Sequence, residues 1–380
     1  MSWDRIAFSE LVEFPPKITL EKDEVYDNIP MDVVDGGIKY VQEINQRVYT
    51  GGGAKFGNGD TIFARITPCL ENGKIAKVKG LEKEVGFGST EFFVFRAKEN
   101  ISDPDFIYYL AKTDLVRQPA IKSMVGASGR QRADKGVVEQ IKVPNIPLPT
   151  QHKIASILSA YDDLIENNLK RIKLMEEKAF LRYKQIVRSE KLETIKLKEV
   201  AILNEYSLKS NSPLDKILYV DIASVSTGSI DNKNEFEIKE APGRAKRILK
   251  HQDIIWSCVR PNRKSYSFVW KPEENLIAST GFAVITAKTI PATFLYQLVT
   301  TDEFVSYLEN HAKGATYPAV TASDFEEATI QICSSEIMKE YDKEVYHFFD
   351  LKDALQKQNT KLREARDILL PKLMNGQIEV

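Results

Sequence analysis

The feature that most restricts the fold of this chain is that it repeats itself. FSELVEF (8–14) returns as LKEVAIL (197–203), and KYVQEI (39–44) as LYVDIA (218–223). GDTIFARITP (59–68) returns as QDIIWSCVRP (252–261), with an Asp eight residues before a Pro in both. GSTEFFVFRAK (88–98) is echoed by ASTGFAVITAK (278–288), and FIYYLAKTDLV (106–116) by FLYQLVTTDEF (294–304). MVGASGRQRADKGV (124–137) is matched in place by HAKGATYPAVTASDF (311–325). The offset drifts between roughly 180 and 193 residues, as insertions in surface loops produce. One such pair is chance; an ordered series is a duplication. Each half reads as a mixed α/β unit of about 140–150 residues, a usual domain size, followed by a long helix.

Those helices come next. In the first, Ile154, Ile157, Tyr161, Leu164, Asn168, Ile172, Met175, Ala179, Arg182 and Ile186 follow three- and four-residue steps. In the second the series is Tyr341, Val345, Phe348, Lys352, Leu355, Asn359, Leu362, Arg366, Leu369 and Leu373. Both predict coiled-coil seams with polar interruptions. The adjacent Asp162 and Asp163 are assigned to the solvated face. Packing of each helix on its own globular unit is one reading. Length favours another, because thirty-odd helical residues span roughly 50 Å, against ~30 Å for a small domain. The other copy is then the natural partner for each seam. The expected fold class is α+β: two similar mixed α/β domains separated by a pair of long antiparallel coiled-coil helices, related by a pseudo-two-fold. The expected boundaries are 1–149, 150–192, 193–333 and 334–380.

Composition enters here as an exclusion. With 53 Lys and Arg against 54 Asp and Glu, the formal net charge is −1, so any attraction to polyanions must be local. From Arg244 to Lys271 eight basic residues stand against Asp253 alone, and from Arg117 to Lys135 five stand against Asp134. Both clusters lie on turns and strand ends, interleaved with Gly, Ser, Tyr or Trp. Solvated surface charge explains any one of them; recurrence at equivalent places in two copies points to a nucleic-acid surface. The candidates are Arg65, Lys74, Arg130, Arg132, Arg244, Lys246, Arg247, Arg260, Arg263, Lys264 and Tyr317. The loops GASGRQR (126–132) and GATYPAV (314–320) are matched in position and different in content, as expected of two units reading different sequences.

Catalytic motifs are missing. No G-x-x-x-x-G-K-[ST] loop occurs, and GGGAKFGNGD (51–60) reads as a hairpin turn rather than a phosphate cradle. The four histidines show no metal-ligand spacing, and Cys69, Cys258 and Cys333 form no CxxC pair. MSWDRIAFSELVEF has no signal-peptide pattern and no apolar run nears the ~20 residues of a membrane span. A reducing cytoplasm is the expected location.

IPLPTQHKIASILSAYDDLIENNLKRI (146–172) and LREARDILLPKLMNGQIEV (362–380) resemble the two helical regions of the specificity (S) subunit of type I restriction–modification systems. GDTIFARITP and QDIIWSCVRP are similar to that family's recognition-domain strand. The chain departs from the family where its second helix begins, with IQICSSEIMKEY (330–341) in place of a Pro-Leu-Pro stretch. The resemblance implies a non-catalytic subunit with two target-recognition domains, each reading half of a bipartite asymmetric site in double-stranded DNA. It implies helices that set the gap and dock two methyltransferase (M) subunits, which hold S-adenosylmethionine and flip an adenine. Restriction/translocase (R) subunits using ATP and Mg would complete the complex, with no cofactor on this chain. The alternatives are a specificity subunit of a related bifunctional restriction–methylation enzyme, a stand-alone tandem DNA-binding protein, and a structural adaptor.

Overall fold

A computed structural model describes residues 3–127, 129–209 and 212–380. Ser128, inside the 126–132 loop, lies outside the described residues. The chain forms two compact units, residues 1–170 with 357–380 (unit 1) and residues 171–356 (unit 2). Both long helices are therefore shared, each giving one stretch to either unit.

Unit 1 has two four-stranded sheets. The first orders Val12–Glu13, Phe92–Ala97, Thr61–Ala64 and Ile75–Lys77, all antiparallel. The second orders Asn45–Val48, Val25–Ile29, Val85–Gly88 and Ala54–Gly57, with its middle pair parallel. Successive strand residues face opposite ways, so the first sheet feeds two cores. Phe63, Phe93 and Phe95 pack on helix residues such as Phe106 and Leu110. Ile62, Phe92 and Val94 pack on Ile29 and Phe56 of the second sheet and on Val34 of the loop that follows Ile29. The result is a helix–sheet–sheet order of layers.

Unit 2 repeats this wiring. Ala201–Leu203, Phe282–Ala287, Ile254–Ser257 and Tyr266–Phe268 form the first sheet; Asn234–Glu237, Lys216–Val220, Leu276–Ser279 and Ala245–Ile248 form the second, again with a parallel middle pair. Trp256 and Ile285 face the helices, while Ile255 and Val284 face the second sheet. One pairing of the repeat is corrected. Residues 218–223 enter the strand Lys216–Val220, whose counterpart is Val25–Ile29, whereas residues 39–44 carry only a bridge from Tyr40 to Lys77. Unit 2 has a small hairpin, Val225–Ser226 with Ser229–Ile230, whose neighbour Thr227 bridges Tyr266 as Tyr40 bridges Lys77. The shared Tyr-Val pair falls on a different element in each unit.

The copied Asp of the repeat shows how one scaffold accepts different chemistry. Asp60 is buried and takes a bidentate fork from Arg96, at 2.7 Å to each oxygen. Asp253 is equally buried, but Thr286 stands where Arg96 does, donating its hydroxyl at 2.6 Å beside the Lys250 backbone N–H. Without an arginine fork, burial pushes the Asp253 carboxyl up to about 6. The folded chain then holds a proton that the unfolded chain releases near pH 4, so stability falls as pH rises from about 4 through about 6. We expect wild type to lose about 2–3 kcal/mol relative to Asp253→Asn over that window. Urea unfolding of both proteins at pH 4.5 and 7 measures it; a pH-independent difference refutes it.

The central helix runs Leu148–Ser189 and the terminal helix Ser335–Met374. Gln151 anchors the start of the first: its buried amide donates to the Ile101 and Ile146 carbonyls and accepts from the Asp103 N–H. The buried stripe of this helix, Leu158, Ile165, Ile172, Ala179 and Ile186, recurs every seven residues. This corrects the phase read from sequence: Leu164 is 49% exposed and Tyr161 half-buried. Asp162 is the cause. It is not on the solvated face but 2% exposed, ion-paired with buried Arg366 and accepting from the Tyr109 hydroxyl. Placing a carboxylate outside had turned the first turns of the seam by one residue. Asn168, Ile172, Leu355 and Asn359 are buried, and Met175, Leu362 and Leu369 half-buried.

Inside each unit the two helical stretches run antiparallel. In unit 1 Asn168 donates to Asn359 and Gln358 at 2.9 and 3.0 Å, and Asp162 meets Arg366. In unit 2 Glu176 pairs with Lys352 at 2.6 Å and Arg182 with Glu344 at 3.0 Å. Among the described residues no helix is long and apolar enough to cross a membrane.

Candidate nucleic-acid interface

The strand carrying the repeated Asp-to-Pro segment ends, in each unit, against a loop from far along the chain. In unit 1 Thr61–Ala64 runs out into Arg65, Ile66 and Thr67. Ile66 bridges Arg132, and the Thr67 N–H donates to the Gln131 carbonyl at 3.0 Å. The Gln131 N–H in turn donates to Thr67 Oγ1 at 3.1 Å. Val125 and Arg132 close the loop as a bridge, and Gly126 supplies the φ of 128° that its turn requires.

Unit 2 builds the same seat. Ile254–Ser257 runs out through Cys258 and Val259, which bridges Ala319. The Val320 N–H donates to the Cys258 carbonyl and the Arg260 N–H to the Pro318 carbonyl, at 2.9 and 2.7 Å. Lys313 and Ala319 close this loop, with Gly314 at φ 104°. Arg260 itself is left-handed, at φ 52° and ψ 64°. The 3-10 turn Pro261–Arg263 follows, and Lys264 is left-handed as well.

The candidate cations divide by what holds them. Lys74 is spent internally, donating to the Met31 and Asp32 carbonyls. Arg132 forms a bidentate pair with Glu91, at 2.7 Å for its closest contact, and this holds the Glu91 carboxyl below its ordinary range. Lys264 pairs with Asp302 at 2.7 Å. Arg65 lies 4.7 Å over the Phe93 ring, and its Nε is buried without a hydrogen-bond partner. Arg247 also has a buried, unpartnered Nε; its charge acts on the Cys258 thiol, which burial nonetheless pushes up to about 11. Arg130, Arg244, Lys246 and Arg263 are exposed. Arg260 and Tyr317 come together, with the guanidinium 4.5 Å from the ring centre. Arg244, Lys246 and Arg247 instead lie on or beside Ala245–Ile248 of the second sheet, the counterpart of Ala54–Gly57, so the two basic clusters do not occupy equivalent places as the sequence reading expected.

Sequence reading missed Thr67, Gln131 and Thr316, which stitch strand end to loop. The repeat itself was the signal for Thr67, since ITP and VRP place it opposite Arg260. Glu91 had no such signal, because its partner lies across a loop. Chemically, the arrangement offers fixed and mobile cations beside an aromatic face, a combination suited to phosphates and bases. Among the described residues no group of His, Cys, Asp or Glu is placed to hold a metal ion.

Residues 2–177 match a family described as type I restriction modification DNA specificity domain. The chain is 29% identical over 180 residues to the type I restriction enzyme EcoAI specificity subunit of Escherichia coli, covering 44% of this chain and 30% of that one. It thus spans less than a third of that relative's length. Over 302 residues it is 26% identical to the MjaIX specificity subunit of Methanocaldococcus jannaschii, covering 73% of this chain and 69% of the other. A crystal structure of the type I restriction-modification system S subunit from M. genitalium shares the fold, with a TM-score of 0.56 at 17% identity, across 98% of this chain and 96% of that one.

Proposed function

We propose that this chain belongs to the type I restriction–modification DNA specificity family and is the sequence-reading subunit of such a complex. The observation that carries the reading is the pair of strand-end seats: identical backbone wiring in both units, with Thr67 and Gln131 at one and Arg260 and Tyr317 at the other. A duplicated scaffold with different side chains at the same seat suits a bipartite, asymmetric DNA target. Each unit reads one half. The long helices, shared between the units, serve as spacer and as docking surface for two methyltransferase subunits; restriction/translocase subunits join that assembly. S-adenosylmethionine, ATP and Mg belong to those partners, and this chain supplies binding energy and orientation rather than chemistry. The exposed Arg130, Arg244, Lys246 and Arg263 act on phosphates, so affinity falls steeply with added salt.

Exchange of residues 1–149 for the corresponding segment of another specificity subunit tests this. The adenine-methylation motif of cells carrying the hybrid should change in one half only. A change in both halves, or in neither, refutes the assignment of one unit to each half-site.

A further inference from the structure

We propose that Arg260, with Tyr317 as its platform, reads a guanine in the half-site of unit 2. The inference rests on the DNA-specificity reading and adds a base to it.

A side chain that reads a base must have a fixed direction and unspent hydrogen bonds. Arg260 has both. Its backbone is left-handed, a conformation that L residues other than Gly, Asn and Asp seldom adopt. It is held there by its N–H to the Pro318 carbonyl and by Pro261 in the turn that follows. The guanidinium lies over the Tyr317 ring and gives one N–H, from Nη2, to the Thr316 carbonyl at 3.2 Å. These contacts cover one face and fix the plane while leaving most of the five-donor fork unspent. Tyr317 is 65% exposed, and the platform explains a ring placed so openly.

Six other arginines fail one condition or the other. Arg96 and Arg132 give their forks to Asp60 and Glu91. Arg65 has its Nε buried against Phe93. Arg130, Arg244 and Arg263 are exposed on flexible stems, which suits phosphate contact. A planar fork of fixed direction matches the O6 and N7 acceptors of guanine in the major groove. In unit 1 the seat holds Thr67, whose hydroxyl already accepts from Gln131, so no equivalent reading follows there.

The test is selection from a randomised duplex DNA library by the full chain, in the assembly that purifies with it. Wild type should enrich a two-part motif with a G·C pair in one half. Arg260→Lys keeps the charge and loses the fork; it should reduce preference for that pair by about 5- to 100-fold, leaving the other half of the motif as an internal sign of folding. Tyr317→Ala should weaken the same position and no other. An enriched two-part motif that Arg260→Lys leaves unchanged, or one lacking any G·C pair that responds, overturns the guanine assignment alone. No enrichment by wild type overturns the DNA-specificity reading, and this inference with it.

Discussion

Replacing Asp162 with Ala should lower the stability of unit 1 by about 3–5 kcal/mol, because it strands a charge in the interior. The Asp162 and Arg366 side chains are 1% and 2% exposed. Arg366 keeps only the exposed Asp367 carboxylate, at 2.9 Å, and a 3.5 Å contact to the Gly37 carbonyl as alternatives. The same substitution removes the carboxylate acceptor of the Tyr109 hydroxyl, a donor buried with the pair. Arg366→Met should cost a similar amount by stranding the carboxylate. A double Asp162→Leu, Arg366→Met variant should recover most of the loss, since apolar replacement of a buried pair is often neutral. Hydrogen exchange of the amides in residues 148–170 reads the effect within unit 1. Protection unchanged in Asp162→Ala, or a double variant no more stable than either single one, would rule out a coupled buried pair.

In unit 2 the largest loss should come from Trp256→Ala, again about 3–5 kcal/mol. Trp256 is fully buried, donates its indole N–H to the Val299 carbonyl at 2.9 Å, and packs on Tyr266 and Phe325. Its cross-strand partner is Ala283; the equivalent pair in unit 1 is Phe63 opposite Phe93. A large–small pair and a medium–medium pair fill the same layer, as close packing demands. Trp256→Phe alone should therefore leave a void, and Trp256→Phe with Ala283→Phe should regain part of its loss. Chemical denaturation of the three variants decides it. If the second Phe destabilises further, the two layers are not built to a common volume.

The duplication made the fold legible. A repeated order of strand, helix and turn signals requires two copies of one wiring, and strands such as TIFA and IIWS are apolar on both faces because both faces are buried. The terminal seam was readable since Leu355, Asn359 and Leu362 have no competing phase. The first turns of the central seam were not, because a buried Asp162 looks like a solvated one until Arg366 is seen beside it. The partner lies 204 residues away, beyond the reach of any periodicity. Candidate cations were visible as charge but not as hydrogen-bond partners: Lys74 and Arg260 look alike in sequence, and only the fold shows the ammonium held by two carbonyls and the guanidinium giving a single N–H to one.

The split of unit 1 has a consequence for synthesis. Its core contains Leu370, Leu373 and Met374 alongside Phe8, Phe63 and Phe106. Residues 171–356 must be synthesised before those three side chains exist, which takes roughly 10–40 s at ~5–20 residues per second. Unit 2 is drawn from contiguous chain and needs nothing made later, while the half made first waits through that interval with an apolar face uncovered. Of the two units, the one begun first is the last to be finished, and its open apolar face is a place for a chaperone to hold.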